Sequence, residues 1–411
     1  MEKRNIIGVL AGILILLLFL PSVPSTPSAQ LEMVFFITAL GAVIIELWML
    51  APSIVAMVKR LSQFRVFRPL AHPFVKFLTK KIVFYLVVAF IAVTLVFLLP
   101  RLMPGNPIDL MISHSPTSPI AGGTHTGSTT TLESMRRAMM AHFGLDKPLF
   151  EQYLNFWGQL LHGDLGTSFS EYPQSVVELI IWRVPFTLSL VIPVLLITFF
   201  LGNWIGCRSA FMKGKKNDFV YFLSVVSSQM PFFWLAMIAI SVFAVTLHIL
   251  PYGGWISKEL LPGLNIRTFL DVASHYVLPF LVLLVVSIGG WAIGMRSMTL
   301  YEMDSDYILY ADRLGFRRSK LRSYIQRNAI LPQFTSLNLM FNSLIGETLV
   351  LENVFGWPGI GLLSYKAVFA LDFPLVMGCF MVTMIVVIFG NFLIDIAYGF
   401  IDPRIRTGYM G

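Results

Sequence analysis

The sequence predicts an all-α protein, a polytopic bundle of about eight membrane-spanning helices. Hydrophobic residues make up 56% of its 411 residues and charged residues only 13%, against about 25% charged residues in soluble domains. The mean hydropathy is +0.76, and the apolar residues fall in runs close to the roughly 20 residues that a helix needs to cross a bilayer. This composition excludes a soluble globular protein, because a fold of this size cannot hide so much apolar surface from water.

Eight apolar runs predict the individual spans. The seventh is the most polar of them, because Pro332, Gln333, Asn338 and Asn342 interrupt it. In chain order the predicted spans are 6–20, 33–58, 82–99, 184–206, 219–249, 276–295, 330–350 and 375–401.

The placement of Lys and Arg predicts that both termini are cytoplasmic. With eight spans, the two termini and segments 59–81, 207–218 and 296–327 share one side of the membrane, and together they hold 22 of the 30 basic residues. Cytoplasmic loops carry such an excess of basic residues. The net charge of +8 is therefore explained by membrane orientation, and we expect no nucleic-acid partner.

The N-terminal region leaves two questions open. Lys3 and Arg4, the apolar run that follows and the small residues before position 30 also resemble a cleavable signal peptide, which would not change the topology downstream. Glu46 lies inside the second predicted span, where an ionisable side chain is costly. Either it is functional or paired, or it is a protonated or snorkelling carboxylate.

Two long connections flank the third predicted span. Segment 59–81 is basic and aromatic, which favours either a cytoplasmic linker or a segment lying on the anionic leaflet. Segment 101–183 is predicted to be extracytoplasmic and contains a Ser/Thr/Gly/Pro-rich stretch, 113–128, too polar to fold on its own. Helices are expected at 132–142 and 148–161 on the outer face of the bundle.

A polar segment, 301–328, separates the sixth and seventh spans and predicts two short helices joined at a glycine; we name it the elbow. Ser305 or Asp306 is expected to cap the first helix, Gly315 to end it, and Ser319 to begin the second helix. The elbow suits the docking of a cytoplasmic partner, although an ordinary basic loop is the alternative. The second helix is expected to carry Leu321, Tyr324 and Ile325 on one side and Arg318, Arg322 and Arg327 towards water or phosphates.

Motifs of catalysis are absent from the sequence. The chain contains no G-x-x-x-x-G-K-[ST] phosphate-binding loop, no H-E-x-x-H and no G-x-S-x-G. Its two cysteines and scattered histidines share no ligand spacing. We therefore expect no catalytic residues and no metal site, and uphill transport would take its energy from an ion gradient or from another polypeptide.

A series of short motifs follows in one order between about residue 80 and residue 406. Each string alone is weak evidence, but the ordered series is specific. Through these motifs the chain resembles the membrane permease subunit of binding-protein-dependent ABC importers of the dipeptide/oligopeptide/nickel class. The motifs are Arg101-Leu-Met-Pro-Gly-Asn-Pro107, Leu145-Asp-Lys-Pro-Leu149, Gly163-Asp-Leu-Gly-Thr-Ser168, Arg183-Val-Pro-Phe-Thr187, Met230-Pro-Phe-Phe-Trp234, the elbow with Arg327-Asn-Ala329, Phe355-Gly-Trp-Pro-Gly-Ile-Gly361, Asp372-Phe-Pro374 and Ile401-Asp-Pro-Arg404.

The resemblance implies partners. A second homologous permease would complete a heterodimer, two cytoplasmic ATPase subunits would bind ATP and Mg, and an extracytoplasmic solute-binding protein would deliver the substrate. This chain would then be no enzyme and hold no cofactor, and it would lie in the cell membrane as a multi-pass subunit. Residues 82–411 would form the six-span permease core, with 1–58 as an extra N-terminal hairpin and 59–81 as the linker.

The resemblance also implies site residues. The elbow would be the segment that couples the permease to its ATPase, and Tyr310 stands there where the family usually has a small residue. A second group would line or gate the translocation path, although its carboxylates could instead only tie helix ends together. The coupling residues are Asp306, Tyr307, Tyr310, Ala311, Arg313, Gly315, Arg317 and Arg318, and the path residues are Glu347, Glu352, Gly359, Gly361 and Asp395.

Alternative functions stay open at this point. Peptides are the first expectation for the substrate, and oligosaccharides or nickel chelates are the alternatives within the class. A gradient-driven secondary transporter would show paired repeats, broken helices and several midplane charges, and no repeat is apparent in the sequence. An intramembrane enzyme would need a nucleophile with its base or a metal cluster in the spans, and the sequence offers neither.

Overall fold

A computed structural model describes residues 73–102, 147–212, 214–260 and 265–401. The predicted first two spans, most of the 59–81 linker, the 113–128 stretch and the helix at 132–142 lie outside these residues. The described residues are almost entirely helical, with one isolated bridge between Thr167 and Ser175. The helices are α1 (Pro73–Leu102), α2 (Leu149–Leu161), α3 (Val176–Ile181), α4 (Val184–Ala210), α5 (Lys215–Gln229), α6 (Phe232–Ala239, continued by a π-helical turn Ile240–Thr246), α7 (Ile266–Met303), α8 (Asp306–Arg313), α9 (Arg318–Ala329), α10 (Leu331–Phe355), α11 (Ile360–Phe369) and α12 (Phe373–Ile401).

Four helical stretches of the described part are long and apolar enough to cross a membrane. They are the main part of α1, α3 together with α4, α7, and α12, and they coincide with the predicted third, fourth, sixth and eighth spans. The number rises to five if a bent pair of helices counts as one span. The chain is therefore a multi-pass helical membrane protein, as its composition predicted.

The fifth predicted span, over 219–249, is not one straight helix but a bent pair of helices. Phe219–Gln229 and Phe232–Thr246 meet at an angle of 98°. Pro231 causes the break, because proline lacks the backbone N–H and disfavours helical geometry in the residue before it. Met230 accordingly has an extended conformation, with ψ at 123°.

The seventh predicted span is α10, which is 25 residues long but is too polar to be among the apolar spans of the described part. It follows directly on the elbow, and its C-terminal end is capped by Gly356 in the left-handed conformation, with φ at 60°. One side of α10 is buried in the bundle, and the other side carries exposed polar residues.

Among the described helices, α4 and α7 form the most extensive contact, and they touch at two glycines spaced as in a G-x-x-x-G motif. A Cβ atom at Gly202 would lie 2.5 Å from the Cβ of Trp291, and one at Gly206 would overlap the carbonyl of Ala292. Small residues at this spacing let two membrane helices approach closely and gain van der Waals contact. Leu190 of α4 and Leu283 of α7 extend this contact into the main apolar core, where side chains of α10 join them.

Candidate functional site

The elbow has the predicted form of two helices joined at Gly315. The N–H of Phe316 donates to the carbonyl of Ala311 at 3.2 Å, and that of Gly315 donates to the carbonyl of Asp312 at 2.9 Å. These two bonds form a Schellman motif, which requires a left-handed residue after the helix. Gly315 has φ at 78°, so the prediction that it ends the first helix is confirmed.

Tyr307 joins the two elbow helices to the end of α7. Its hydroxyl donates to the Glu302 carboxylate at 2.5 Å and accepts from the side-chain amide of Asn328 at 2.7 Å. Partial desolvation of its ring, reinforced by the hydrogen bond to Glu302, raises the pKa of the Tyr307 phenol above its usual value. This bridge connects the start of the elbow to the Arg327-Asn-Ala329 motif.

The predicted coupling residues divide between the two faces of the elbow. Ala311 is 7% exposed and packs inward with Ile308, as Leu321 and Ile325 do on α9. Tyr324, expected on that apolar side, is exposed instead. The other predicted coupling residues are exposed: Asp306, Tyr307, Tyr310, Arg313, Gly315, Arg317 and Arg318.

Exposed apolar side chains lie among these charges, and the sequence analysis singled out only Tyr310 of them. Leu309, Leu314 and Phe316 are 48%, 59% and 40% exposed, and Tyr310 is 66% exposed. Apolar groups that are clustered and rimmed by charge are typical of a protein-binding surface. The sequence does carry a signal for them, since the elbow contains more apolar residues than the buried sides of its two helices accommodate.

Glu352 is fully buried where the end of α10 meets the start of α4 and of α11. One carboxylate oxygen accepts from the Thr187 hydroxyl at 2.6 Å, and the other accepts from the N–H of Gly361 at 2.6 Å. A Cβ at Gly359 would overlap the Glu352 carboxylate. The structure therefore brings three predicted path residues together, and Thr187 with the N–H of Ile360 completes this group, which we name the Glu352 clamp.

Asp372 forms a second buried clamp, to which the sequence analysis gave no role. One carboxylate oxygen, Oδ2, accepts four hydrogen bonds. They come from the Ser168 hydroxyl at 2.5 Å, from the Ser170 hydroxyl at 2.8 Å and from the N–H groups of Phe169 and Ser170, both at 2.9 Å. Its other oxygen accepts from the N–H of Leu375 at 3.1 Å, in the first turn of α12. Two motifs of the ordered series, one ending at Ser168 and one beginning at Asp372, are thus halves of one contact.

Asp395 ties three helices together at the end of the bundle where α1 begins and α12 ends. One of its oxygens accepts from Lys81 Nζ at 2.6 Å and from the Tyr85 hydroxyl at 2.7 Å, and the other accepts from Asn338 of α10 at 2.9 Å. Asn338 and Glu352 are 14 positions apart on α10, or about 21 Å at 1.5 Å per residue. The predicted path residues therefore occupy separate levels of the bundle.

Glu347 differs from the other two carboxylates. It is half-buried, and its described hydrogen-bond partner is the hydroxyl of Ser343 on the same helix, at 3.0 Å. It belongs to a polar stripe on α10, whose members lie one or two helical turns apart on the side that the bundle leaves uncovered. The polar members are Thr335, Ser336, Asn342, Ser343 and Glu347.

Comparisons with known proteins identify the family. Residues 199–407 match the family model described as "binding-protein-dependent transport system inner membrane component". The chain is 32% identical to the "oligopeptide transport system permease protein AppB" of Bacillus subtilis over 75% of its own length and 92% of that protein. It is 32% identical to the "probable D,D-dipeptide transport system permease protein DdpB" of Escherichia coli, over 79% and 95% of the two chains. It is 30% identical to the "di/tripeptide transport system permease protein DppB" of Pseudomonas aeruginosa, over 78% and 96%.

These matches confirm the resemblance that the motif series predicted. They cover the larger part of this chain and nearly all of each relative. The polytopic helices of the described part agree with an inner membrane component. The chain belongs to the family of binding-protein-dependent transport system inner membrane components and is a permease subunit of an ABC transporter.

Proposed function

We propose that the chain forms half of the translocation path of an ATP-driven importer for oligopeptides or dipeptides. The three relatives reported above are named as permeases for oligopeptides, D,D-dipeptides and di- or tripeptides, which supports peptides over oligosaccharides and nickel chelates. The partners are a second homologous permease, two cytoplasmic ATPase subunits and an extracytoplasmic solute-binding protein. ATP and Mg bind to the ATPase subunits.

The elbow surface carries this proposal. It combines three exposed apolar side chains, Leu309, Leu314 and Phe316, with the exposed charges of Arg313 and Arg317, and this composition suits a groove on a soluble partner. Its inner face packs on α7 and α4 through Ala329 and its neighbours. Closure of an ATPase dimer would therefore move the elbow together with the membrane helices, as a ligand that biases a two-state element does.

The polar stripe of α10 supports the proposed path. Peptides carry an ammonium group, a carboxylate and several amides, and these groups need polar partners while they cross an apolar bilayer. Asn342 and Ser343 are exposed and offer amide and hydroxyl groups, and Glu347 offers the negative charge that suits an ammonium group. We assign Glu347 to the path itself. We assign the Glu352 clamp and Asp395 to gates at the two ends of the path, where they hold helix ends together.

Reconstitution tests the proposal directly. The complete transporter is placed in proteoliposomes with its binding protein, and uptake of a labelled tripeptide is measured with and without ATP. ATP-dependent tripeptide uptake that requires the binding protein is the expected result. Uptake driven by a proton or sodium gradient without ATP would contradict it and favour a secondary transporter. Broken helices such as the one at Pro231 are also found in secondary transporters. Uptake of an oligosaccharide or of a nickel chelate in place of the tripeptide would contradict the substrate class.

A further inference from the structure

An open groove of about 660 Å³ lies on the outward side of α4, beside the second elbow helix. Its α4 wall is apolar and faces away from the bundle, since Phe200 and Trp204 are 66% and 52% exposed. Met295 of α7 forms its floor, and Gln326 of α9 and Ile330, which follows the end of α9, close one end. Neither the translocation path nor the exposed face of the elbow uses this groove.

The position of the groove along α4 places it in one leaflet. Its walls lie in the last half of the 27-residue helix, which runs towards the predicted cytoplasmic side. Trp204 lines the groove near this end, and tryptophan is enriched where the hydrocarbon meets the headgroups. The elbow helix α9 at the end of the groove is too polar for the bilayer, so the groove opens to the inner leaflet just below its headgroups.

Two arginines stand at this cytoplasmic end of the groove. The guanidinium of Arg208 lies 5.1 Å from the ring centre of Trp204, four residues earlier on α4. The guanidinium of Arg322 lies 5.1 Å from the ring centre of Phe211, and Arg322 precedes Gln326 by four residues on α9. Residues four apart share one helix face, so both cations continue the walls of the groove towards the cytoplasm.

Neither guanidinium has a carboxylate partner among the described residues. Stacking on an aromatic ring holds a guanidinium in place and leaves its N–H groups free for phosphate, which they contact in a planar fork. An apolar groove with two such cations at its headgroup end matches one ligand in shape and in charge.

We propose that this groove binds one anionic phospholipid of the cytoplasmic leaflet. An acyl chain lies along Ile197, Phe200 and Trp204, and the headgroup phosphate is held by Arg208 and Arg322. Basic pockets between membrane helices on the cytoplasmic side bind anionic headgroups in this way. The bound lipid contacts α4 and α9 together, so the anionic content of the inner leaflet acts on the elbow whatever substrate the transporter carries.

Lipid retention measured by native mass spectrometry tests the proposal. The purified transporter is delipidated and titrated with phosphatidylglycerol or with phosphatidylcholine, and the double variant R208Q/R322Q is compared with the wild type. The variant is expected to bind phosphatidylglycerol about thirty-fold more weakly, since each basic residue near an anionic headgroup contributes about a factor of five, and to bind phosphatidylcholine unchanged.

The matched control is K258Q/R267Q, which removes two exposed charges at the opposite end of the bundle. It is expected to bind phosphatidylglycerol like the wild type. Equal phosphatidylglycerol affinity of R208Q/R322Q and the wild type would overturn the proposal.

A second measurement identifies the occupant in the membrane. A photo-activated cross-linker attached at Phe200→Cys is expected to capture phospholipid, and the capture is expected to fall when R208Q/R322Q is added to the same chain. Capture of another subunit, or of residues 1–72 of this chain, would overturn the lipid assignment. This result is independent of whether the transported substrate is a peptide.

Discussion

The hydroxyl of Ser168 donates to the carboxylate of Asp372 at 2.5 Å, although 204 positions separate the two residues. The bond is buried at both ends. It joins the loop that follows α2 to the first turn of α12, where the second carboxylate oxygen accepts the N–H of Leu375. A negative charge at the N-terminal end of a helix is favourable, so one side chain both caps α12 and positions the outer loop.

Asp372→Asn is expected to destabilise the protein by about 3 kcal/mol, because an amide nitrogen cannot accept the hydrogen bonds that converge on this carboxylate and leaves buried donors unpaired. The thermal midpoint in detergent measures the effect. Ser170→Ala removes one of the donors and is expected to cost about 1 kcal/mol. An Asn variant as stable as Ser170→Ala would show that the carboxylate charge contributes nothing.

Gly315→Arg is expected to leave the protein inserted in the membrane and to abolish ATP-dependent transport. A Cβ at Gly315 meets no atom within 4 Å, so the substitution strains only the left-handed backbone, by about 1–2 kcal/mol, and adds bulk to the coupling surface. Co-purification of the ATPase and its stimulation by substrate are the measurements.

The matched control is Gly163→Arg, because Gly163 ends α2 through the same pair of backbone hydrogen bonds, with φ at 74° and open space around its Cβ position. It lies outside the elbow and is expected to keep ATPase binding like the wild type. Normal transport and ATPase binding by Gly315→Arg would remove the elbow from the coupling role.

The sequence predicted the positions of the long helices and the glycine turn of the elbow, because these depend on local apolar length and on backbone conformation. Pro231 also carried a local signal for the break in the fifth span, which the length of the apolar run concealed. The contacts of Asp372 and Glu352 could not be predicted, since each joins residues more than 160 positions apart. Such pairings depend on how the helices are arranged, and no local pattern records that.

Gly359→Ala is expected to destabilise the outer end of the bundle by at least about 2 kcal/mol, because the added methyl group overlaps the Glu352 carboxylate and displaces it from its buried donors. Gly346→Ala is the control on α10, where a Cβ meets open space, and alanine there favours the helix by about 1 kcal/mol. Thermal unfolding of both variants provides the comparison. Equal midpoints for the two variants would mean that the clamp yields without cost.

Tyr307→Phe is expected to change how stability depends on alkaline pH. The pKa of the folded phenol is raised above its usual value of 10.0, so the folded state holds its proton more tightly than the unfolded state does. The Tyr307 contribution is therefore complete below pH 10 and is lost as the pH rises above it. Unfolding by denaturant at pH 8 and above pH 10 measures the difference between wild type and variant. A difference that stays constant over this range would contradict the shifted phenol.

Glu347→Gln is expected to weaken peptide transport without weakening the fold. Glu347 is half-buried and is hydrogen-bonded within its own helix to Ser343, so the amide preserves its shape and one contact. Only the charge is lost, and a charge-assisted hydrogen bond to a peptide ammonium group is worth about 1.4 kcal/mol more than a neutral one, which corresponds to about a tenfold rise in KM for uptake. Ser343→Ala, which removes the neighbouring hydroxyl but keeps the charge, is expected to change KM by less than threefold. An N-acetylated peptide lacks the ammonium group and therefore separates recognition of charge from recognition of shape. Wild type and Glu347→Gln are expected to transport this peptide equally. A tenfold loss that persists with the acetylated peptide would place Glu347 in a structural role, together with Glu352 and Asp395.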